Sequence, residues 1–138
     1  MTVHGGMLRL QTAGDGEVVD ITAGVARVAQ TAGVDRGLVT VCAVGSTLAI
    51  TTIEYEPGVV TDLRALLERL IPTRGEYEHN RLNHDSNSHA HLRAALIGPS
   101  QTIPMVDGRL VLGTWQQIVV IDFDDRPRQR EVSVQVVY

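Results

Sequence analysis

From position 102 to the end, the sequence is a succession of strand-forming segments, and this run constrains the fold more than any other feature. Segments 102–106 and 109–112 flank Asp107-Gly108, a turn of the hairpin type, and segments 116–123 and 131–137 follow, rich in Val and Ile. Strands of this kind pair with one another and leave edges that must be covered. Only 4% of the residues are aromatic, so Val, Leu, Ile and Ala must fill the core. A chain of 138 residues is long enough for one domain, 1–138, with a single core.

Upstream, helices and strands are mixed. Val25, Val28, Ala29 and Ala32 recur at helical spacing, with Thr22 as N-cap and Gly33 as the stop. Segments 38–44 and 48–53 read as buried strands separated by Gly45 and Ser46. Thr61 is the expected cap of a second helix, with Leu63, Leu66, Leu67 and Leu70 along one face and Pro72 at its end. Residues 72–88 lack apolar periodicity and read as a long polar loop, a feature that often carries function. Ser88 is placed to cap a third, short helix over 89–97, closed by Gly98 and Pro99.

Charge and composition exclude several classes. A formal charge of -4 and a pI near 5.7 argue against a nucleic-acid partner, which needs a basic face. All 12 basic residues are Arg, so no mechanism can use a lysine amine as nucleophile or phosphate ligand. The single Cys42 cannot form an internal disulfide, and its apolar surroundings predict a buried thiol in a reducing compartment. No run approaches the roughly 18 apolar residues of a membrane span, and the first residues lack a basic-then-apolar leader. The expectation is a soluble cytoplasmic protein with no membrane partner.

Histidines supply the clearest chemical signal. His79, His84, His89 and His91 fall within 13 positions, and imidazole serves both as metal ligand and as proton carrier near neutrality. A polar loop with incidental histidines is the plainer alternative. On a helix, His89 and His91 would point about 200° apart and could share a metal only at a frayed first turn. Asp85, Ser86 and His89 are too close in sequence to make an ordinary hydrolytic triad. Glu54 and Glu56 end an apolar strand, where carboxylates face either a cleft or solvent. Arg126, Arg128 and Arg130 alternate, which suits either a phosphate grip or, in the favoured reading, a solvated edge strand guarded by charge. Trp115 reads as a core or interface anchor.

Several blocks then fall into a recognisable order: Ile53-Glu54-Tyr55-Glu56-Pro57-Gly58, Tyr77-Glu78-His79-Asn80, His89-Ala90-His91-Leu92-Arg93-Ala94-Ala95-Leu96-Ile97-Gly98-Pro99-Ser100, Gly108-Arg109-Leu110 and Gly113-Thr114-Trp115-Gln116-Gln117. Together they resemble the YjbQ family of secondary thiamine-phosphate synthases. The resemblance implies an α+β subunit, a sheet-rich sandwich with packed helices, assembled as a homotrimer. It implies a weak thiamine phosphate synthase activity, in which pyrophosphate is displaced as an aminopyrimidine joins a thiazole phosphate. The implied partner is therefore a small phosphorylated substrate, and the implied cofactor a divalent metal, Zn²⁺ or Mg²⁺.

Carried over residue by residue, the resemblance makes His79, His91, Glu54, Asp85 and Asn87 the catalytic candidates. His79, His89 and His91 are the expected metal ligands, and Arg109, Trp115 and Gln116 the expected substrate contacts. Two positions depart from the family pattern: Gly45 stands where the family usually has a histidine, and Ile53 where it has an asparagine. The departure at Gly45 lends weight to a second reading, a non-catalytic small-molecule or metal-binding trimer, unless His84 or His89 fills the role. The displacement itself needs no covalent nucleophile, only neutralisation of a leaving pyrophosphate, so a chain without Lys can perform it.

Overall fold

The computed structural model describes all 138 residues. In chain order the elements are β1 (Val3–Thr12), β2 (Glu17–Asp20), α1 (Thr22–Gln30), β3 (Gly37–Ala43), β4 (Leu48–Glu54), α2 (Pro57–Leu70), α3 (Glu78–Asn83), α4 (Ser88–Ile97), β5 (Ser100–Val106), β6 (Arg109–Leu110), β7 (Gln116–Asp122) and β8 (Arg128–Val137). The strands form two antiparallel sheets, a five-stranded one in the order β1-β8-β3-β5-β6 and a three-stranded one in the order β2-β7-β4. This is the α+β sandwich with packed helices that the sequence led one to expect.

Strand β7 shows why the layers stack as they do. Ile118, Val119, Val120 and Ile121 are consecutive and all buried, so this strand is covered on both faces. Ile118 and Val120 join Val39, Val41, Val132, Val134 and Val136 in the core between the sheets. Val119 and Ile121, with Phe123, pack instead against Leu67 of α2 and Ala90 and Ala94 of α4. The five-stranded sheet is covered on one face only: in β8 Val132, Val134 and Val136 point inward, while Glu131 and Gln135 are exposed. Each such buried Val or Ile stabilises the fold by about 1.5–3 kcal/mol relative to exposure.

Several local expectations change. Strands β1 and β2 were not foreseen, because Gly5, Gly6, Gly14 and Gly16 dilute their pattern. Thr22 is the first residue of α1 rather than its cap; its N–H and hydroxyl both donate to Asp20 Oδ1, and its hydroxyl oxygen accepts the N–H of Ile118. Helix α2 begins a turn before Thr61: Glu56 is its cap, accepting from the N–H groups of Gly58 and Val59, and Pro57 occupies the first helical position. Residues 72–88 contain the short helix α3 and are not wholly loop. Strand β8 starts at Arg128 and lies between β1 and β3, although its first residues, Arg128 to Arg130, pair with β1 alone and β3 joins only from Val132. No helix is long and apolar enough to cross a membrane.

Candidate functional site

Helices α3 and α4 form a tight corner that carries the histidines. His84, with φ 52°, ends α3 in the left-handed conformation and turns the chain back towards α4. Asn80 Oδ1 accepts the N–H of Ser88 at 3.0 Å, and Asn83 Nδ2 donates to the carbonyl of His79 at 3.0 Å. Side-chain amides thus hold a segment that has too few apolar residues to hold itself. The corner brings the His79 and His91 rings together edge to face, with centroids 4.8 Å apart and planes at 67°.

A polar relay orients this pair. His79 Nε2 lies 3.1 Å from Asn87 Oδ1 and 3.6 Å from Asp85 Oδ2. Asn87 Nδ2 donates to Asp124 Oδ1 at 3.3 Å, and because a carboxylate only accepts, the amide must present its oxygen to His79. His79 Nε2 therefore carries the hydrogen in that bond, while Nδ1 faces the amide of Asn83 at 3.4 Å. Burial raises the Asp124 carboxyl, but the N–H of Asp125, the Asn87 amide, Arg128 and Arg130 outweigh it and hold it below the usual carboxylate range.

Behind the relay lies a buried ionic group. Arg130 binds Asp122 through Nε and Nη2, and Nη2 also donates to Thr47 Oγ1 at 2.8 Å. Arg128 Nε stands 3.1 Å from Asp124 Oδ2. In front, a cleft of about 310 Å³ opens between the 44–47 turn, His91, Arg128 and Arg130. His91 also borders an adjoining hollow of about 350 Å³ against Ala94 and Pro99. Helix α4 is fixed from behind by Arg93, which donates to Glu68 Oε2 and the carbonyl of Ile71, both at 2.7 Å. Hydrogen bonds from the hydroxyl and N–H of Thr73, with help from Arg93, hold the Glu68 carboxyl down at about 2.

The expected site residues divide into two groups. His79, His91, Asp85 and Asn87 come together at the cleft. Glu54 lies at the far end of β4, opposite Gln116, whereas Leu48 at the other end pairs with Asp122. Gln116 and Asp122 are six residue steps apart on the strand, about 20 Å at 3.3 Å each. Gln116 is engaged with Thr52 Oγ1 and the N–H of Gly113, and Trp115 is 72% exposed, so it is no core anchor. Arg109 lies beside Thr22, also away from the histidine corner. Glu56 is spent on capping α2.

His89 does not join the other two histidines. It is only 3% exposed, its Nδ1 has no hydrogen-bond partner, and burial, followed by the charge of Arg93, lowers its pKa. It sits on α4 about 200° around from His91. No group of three or more His, Cys, Asp or Glu side chains is arranged to hold a metal ion. Within the chain, therefore, His79 and His91 lie together and His89 stands apart from them.

Sequence reasoning undervalued Arg128 and Arg130 and passed over Asp122 and Asp124. Far from being a solvated guard, Arg130 is buried and ion-paired with Asp122 through Nε and Nη2, while Arg126 precedes the strand and is exposed. The signal was present in the alternation Asp122-x-Asp124 and Arg128-x-Arg130, two acids and two bases at strand spacing on either side of one turn. Cys42 is half-buried rather than buried.

Comparison with known proteins covers almost the whole chain. The YjbQ family model, described as UPF0047 protein YjbQ-like, matches residues 6–138. A UPF0047 protein of Methanothermobacter thermautotrophicus is 38% identical over 136 residues, covering 99% of this chain and 93% of that protein. One from Archaeoglobus fulgidus is 41% identical over 130 residues, covering 94% and 98%. Among solved structures, a YbjQ-like protein of unknown function from Sulfolobus solfataricus is similar with a TM-score of 0.92 at 30% identity, covering 98% of this chain and 96% of its own.

Proposed function

We infer the function of this chain from one premise: it belongs to the YjbQ-like UPF0047 family. The proposal is that the His79–His91 corner is the centre of a small-molecule site for a phosphorylated substrate, with a weak thiamine phosphate synthase activity. In that reaction the thiazole nitrogen forms a bond to the methylene carbon of the aminopyrimidine as the carbon–oxygen bond breaks, and both electrons leave on pyrophosphate. The enzyme's part is to orient the two rings, exclude water from the carbocation-like carbon and neutralise the departing oxygens.

The observation that supports this reading is the ring pair itself, 4.8 Å apart, one member tied down and the other facing the cleft. His79 is committed through Asn87 to Asp124, which makes it a positioning residue. His91 makes no side-chain hydrogen bond in the chain and borders the cleft, so it is the group to hold or move a proton at the leaving pyrophosphate. Asp85 steadies His79 from the solvent side. A divalent cation such as Mg²⁺ enters this reading with the pyrophosphate substrate, and no step depends on a resident one.

The homotrimer belongs to the proposal for a geometric reason. Glu54 and Gln116 sit at the end of the β4–β7 ladder opposite Asp122, about 20 Å along the strand, with Trp115 just beyond, so the proposal has them reach the histidine corner from a second copy. The cytoplasm is the proposed location.

The test is direct. Purified protein, aminopyrimidine pyrophosphate, thiazole phosphate and Mg²⁺ should yield thiamine phosphate slowly but above the enzyme-free rate. His91→Asn should lower that rate by roughly tenfold or more. Equal rates in parent and variant, or in parent and blank, would overturn the reading. A non-catalytic binder is the second reading; Gly45, whose φ of +153° is one that side chains rarely adopt, favours it because the family histidine would be strained there.

A further inference from the structure

We propose that the Gly45-Ser46-Thr47 turn is an oxyanion cradle that takes the phosphate or pyrophosphate end of the ligand, with Arg130 Nη1 behind it and Arg128 at its rim. The proposal deepens the reading of the cleft as a small-molecule site and rests on it, but not on catalysis.

The first observation is in the backbone. The turn joins β3 to β4, outside both ladders, and the N–H groups of Gly45, Ser46 and Thr47 have no acceptor in the chain; only the Thr47 carbonyl is used, by the N–H of Phe123 at 3.0 Å. Three successive uncommitted N–H groups beside a cleft are the raw material of an anion nest.

The second observation is Arg130. Its side chain is 6% exposed, and Nε and Nη2 are committed to Asp122 and Thr47, yet Nη1 makes no hydrogen bond. Nη1 faces the turn: a Cβ built on Gly45 would lie 3.3 Å from it. A glycine at this position, with its φ of +153°, lets the main chain pass this close to the guanidinium and leaves its donor open to the cleft.

The third observation is that the neighbouring acids are already used. Asp122 accepts from Arg130, from the hydroxyl of Thr12 and from the N–H of Asp124. Asp124 accepts from Asn87 and from the N–H of Asp125, and is paired with Arg128 and Arg130. Arg128 commits only Nε and leaves its two terminal nitrogens free on a side chain 39% exposed. The uncommitted groups at the cleft are thus chiefly donors, from main chain and guanidinium together. A ligand with several acceptor oxygens and no hydrogen to give answers that lining best, which is the chemistry of phosphate and pyrophosphate.

The experiment is a titration of nitrogen-15-labelled protein with sodium pyrophosphate and, separately, inorganic phosphate, with sodium chloride holding ionic strength constant. The amide signals of Gly45, Ser46 and Thr47 should move saturably. Ser46 is exposed, so Ser46→Glu should keep the parent's melting curve while placing a carboxylate in the cradle, and it should weaken binding roughly tenfold or more. Ser46→Ala, which keeps the N–H, should bind like the parent. No saturable shift at these amides, or undiminished binding by Ser46→Glu, overturns the cradle. Saturable binding without thiamine phosphate formation upholds the cradle and ends the synthase reading. Product formation by Ser46→Glu with an unchanged KM for the pyrophosphate substrate does the reverse.

Discussion

The guanidinium of Arg130 holds the carboxylate of Asp122 by two hydrogen bonds, Nε to Oδ2 at 2.8 Å and Nη2 to Oδ1 at 2.9 Å, with both side chains buried. Asp122 ends β7 in the three-stranded sheet and Arg130 lies in β8 of the five-stranded one, so the pair ties the two sheets at the cleft. Thr12 and Thr47 add hydrogen bonds to the carboxylate and the guanidinium respectively, which is what makes a buried pair tolerable.

Removing one charge should therefore hurt more than removing both. Asp122→Asn leaves Arg130 without its main counter-charge and is expected to cost about 3–5 kcal/mol in urea denaturation. The double variant Asp122→Leu, Arg130→Met should lose clearly less than the sum of the single losses, because no orphaned charge remains. Strict additivity in this cycle would show that the pair does not act as a unit.

His89 gives the fold a dependence on pH. Its pKa is lowered, first by burial and then by Arg93, so the folded state holds it neutral. As pH falls through the unfolded value near 6.5, the unfolded chain takes up a proton that the folded one refuses, and stability drops until the folded pKa is reached. The protein should therefore be less stable to denaturant at pH 5.5 than at pH 7.5, with His89 contributing to the loss in the direction its lowered pKa sets. His89→Leu should remove that part of the slope, and it also removes the unpartnered Nδ1. A variant whose slope matches the parent's would show that another group sets the acid sensitivity.

What the sequence disclosed, and what it withheld, follows from the range of the interactions. Val119 to Ile121 announce a buried strand because burial on both faces leaves an unbroken apolar run. Helix α3 was hidden because it is held by Asn80 accepting from Ser88 across the corner and by Asn83 donating back to the His79 carbonyl, not by an apolar stripe. The convergence of His79 and His91 was anticipated from the resemblance, yet no local pattern could place Asp124 behind them, since Asn87 reaches it across 37 residues. Arg130 misled for the same reason: an alternating arginine looks the same whether its partner is water or a carboxylate eight residues away.

Oligomeric state is the next test. If a neighbouring copy brings Trp115 and Gln116 towards the histidine corner, light scattering should return a mass near three times 15.0 kDa. Trp115 is 72% exposed in the single chain, so Trp115→Ala should leave the fold of each subunit intact while loosening assembly. A monodisperse monomer at micromolar concentration would refute the composite site.

Gly45 decides whether this chain has lost a histidine or has a turn of its own. If it were simply a vacated ligand position, Gly45→His would create a third imidazole beside His79 and His91 and raise zinc affinity. The backbone argues otherwise: φ at Gly45 is +153°, a conformation that side chains rarely adopt, and a Cβ there would press on Arg130 Nη1 at 3.3 Å. Gly45→Ala should then cost on the order of 1–3 kcal/mol through backbone strain alone, and Gly45→His at least as much. Calorimetric titration with zinc should show no gain for Gly45→His, and pyrophosphate binding should weaken in both variants because the turn must shift away from Arg130. A stable Gly45→His protein that binds zinc more tightly than the parent would mean that the turn can reshape around an imidazole, and that the glycine marks a lost ligand after all.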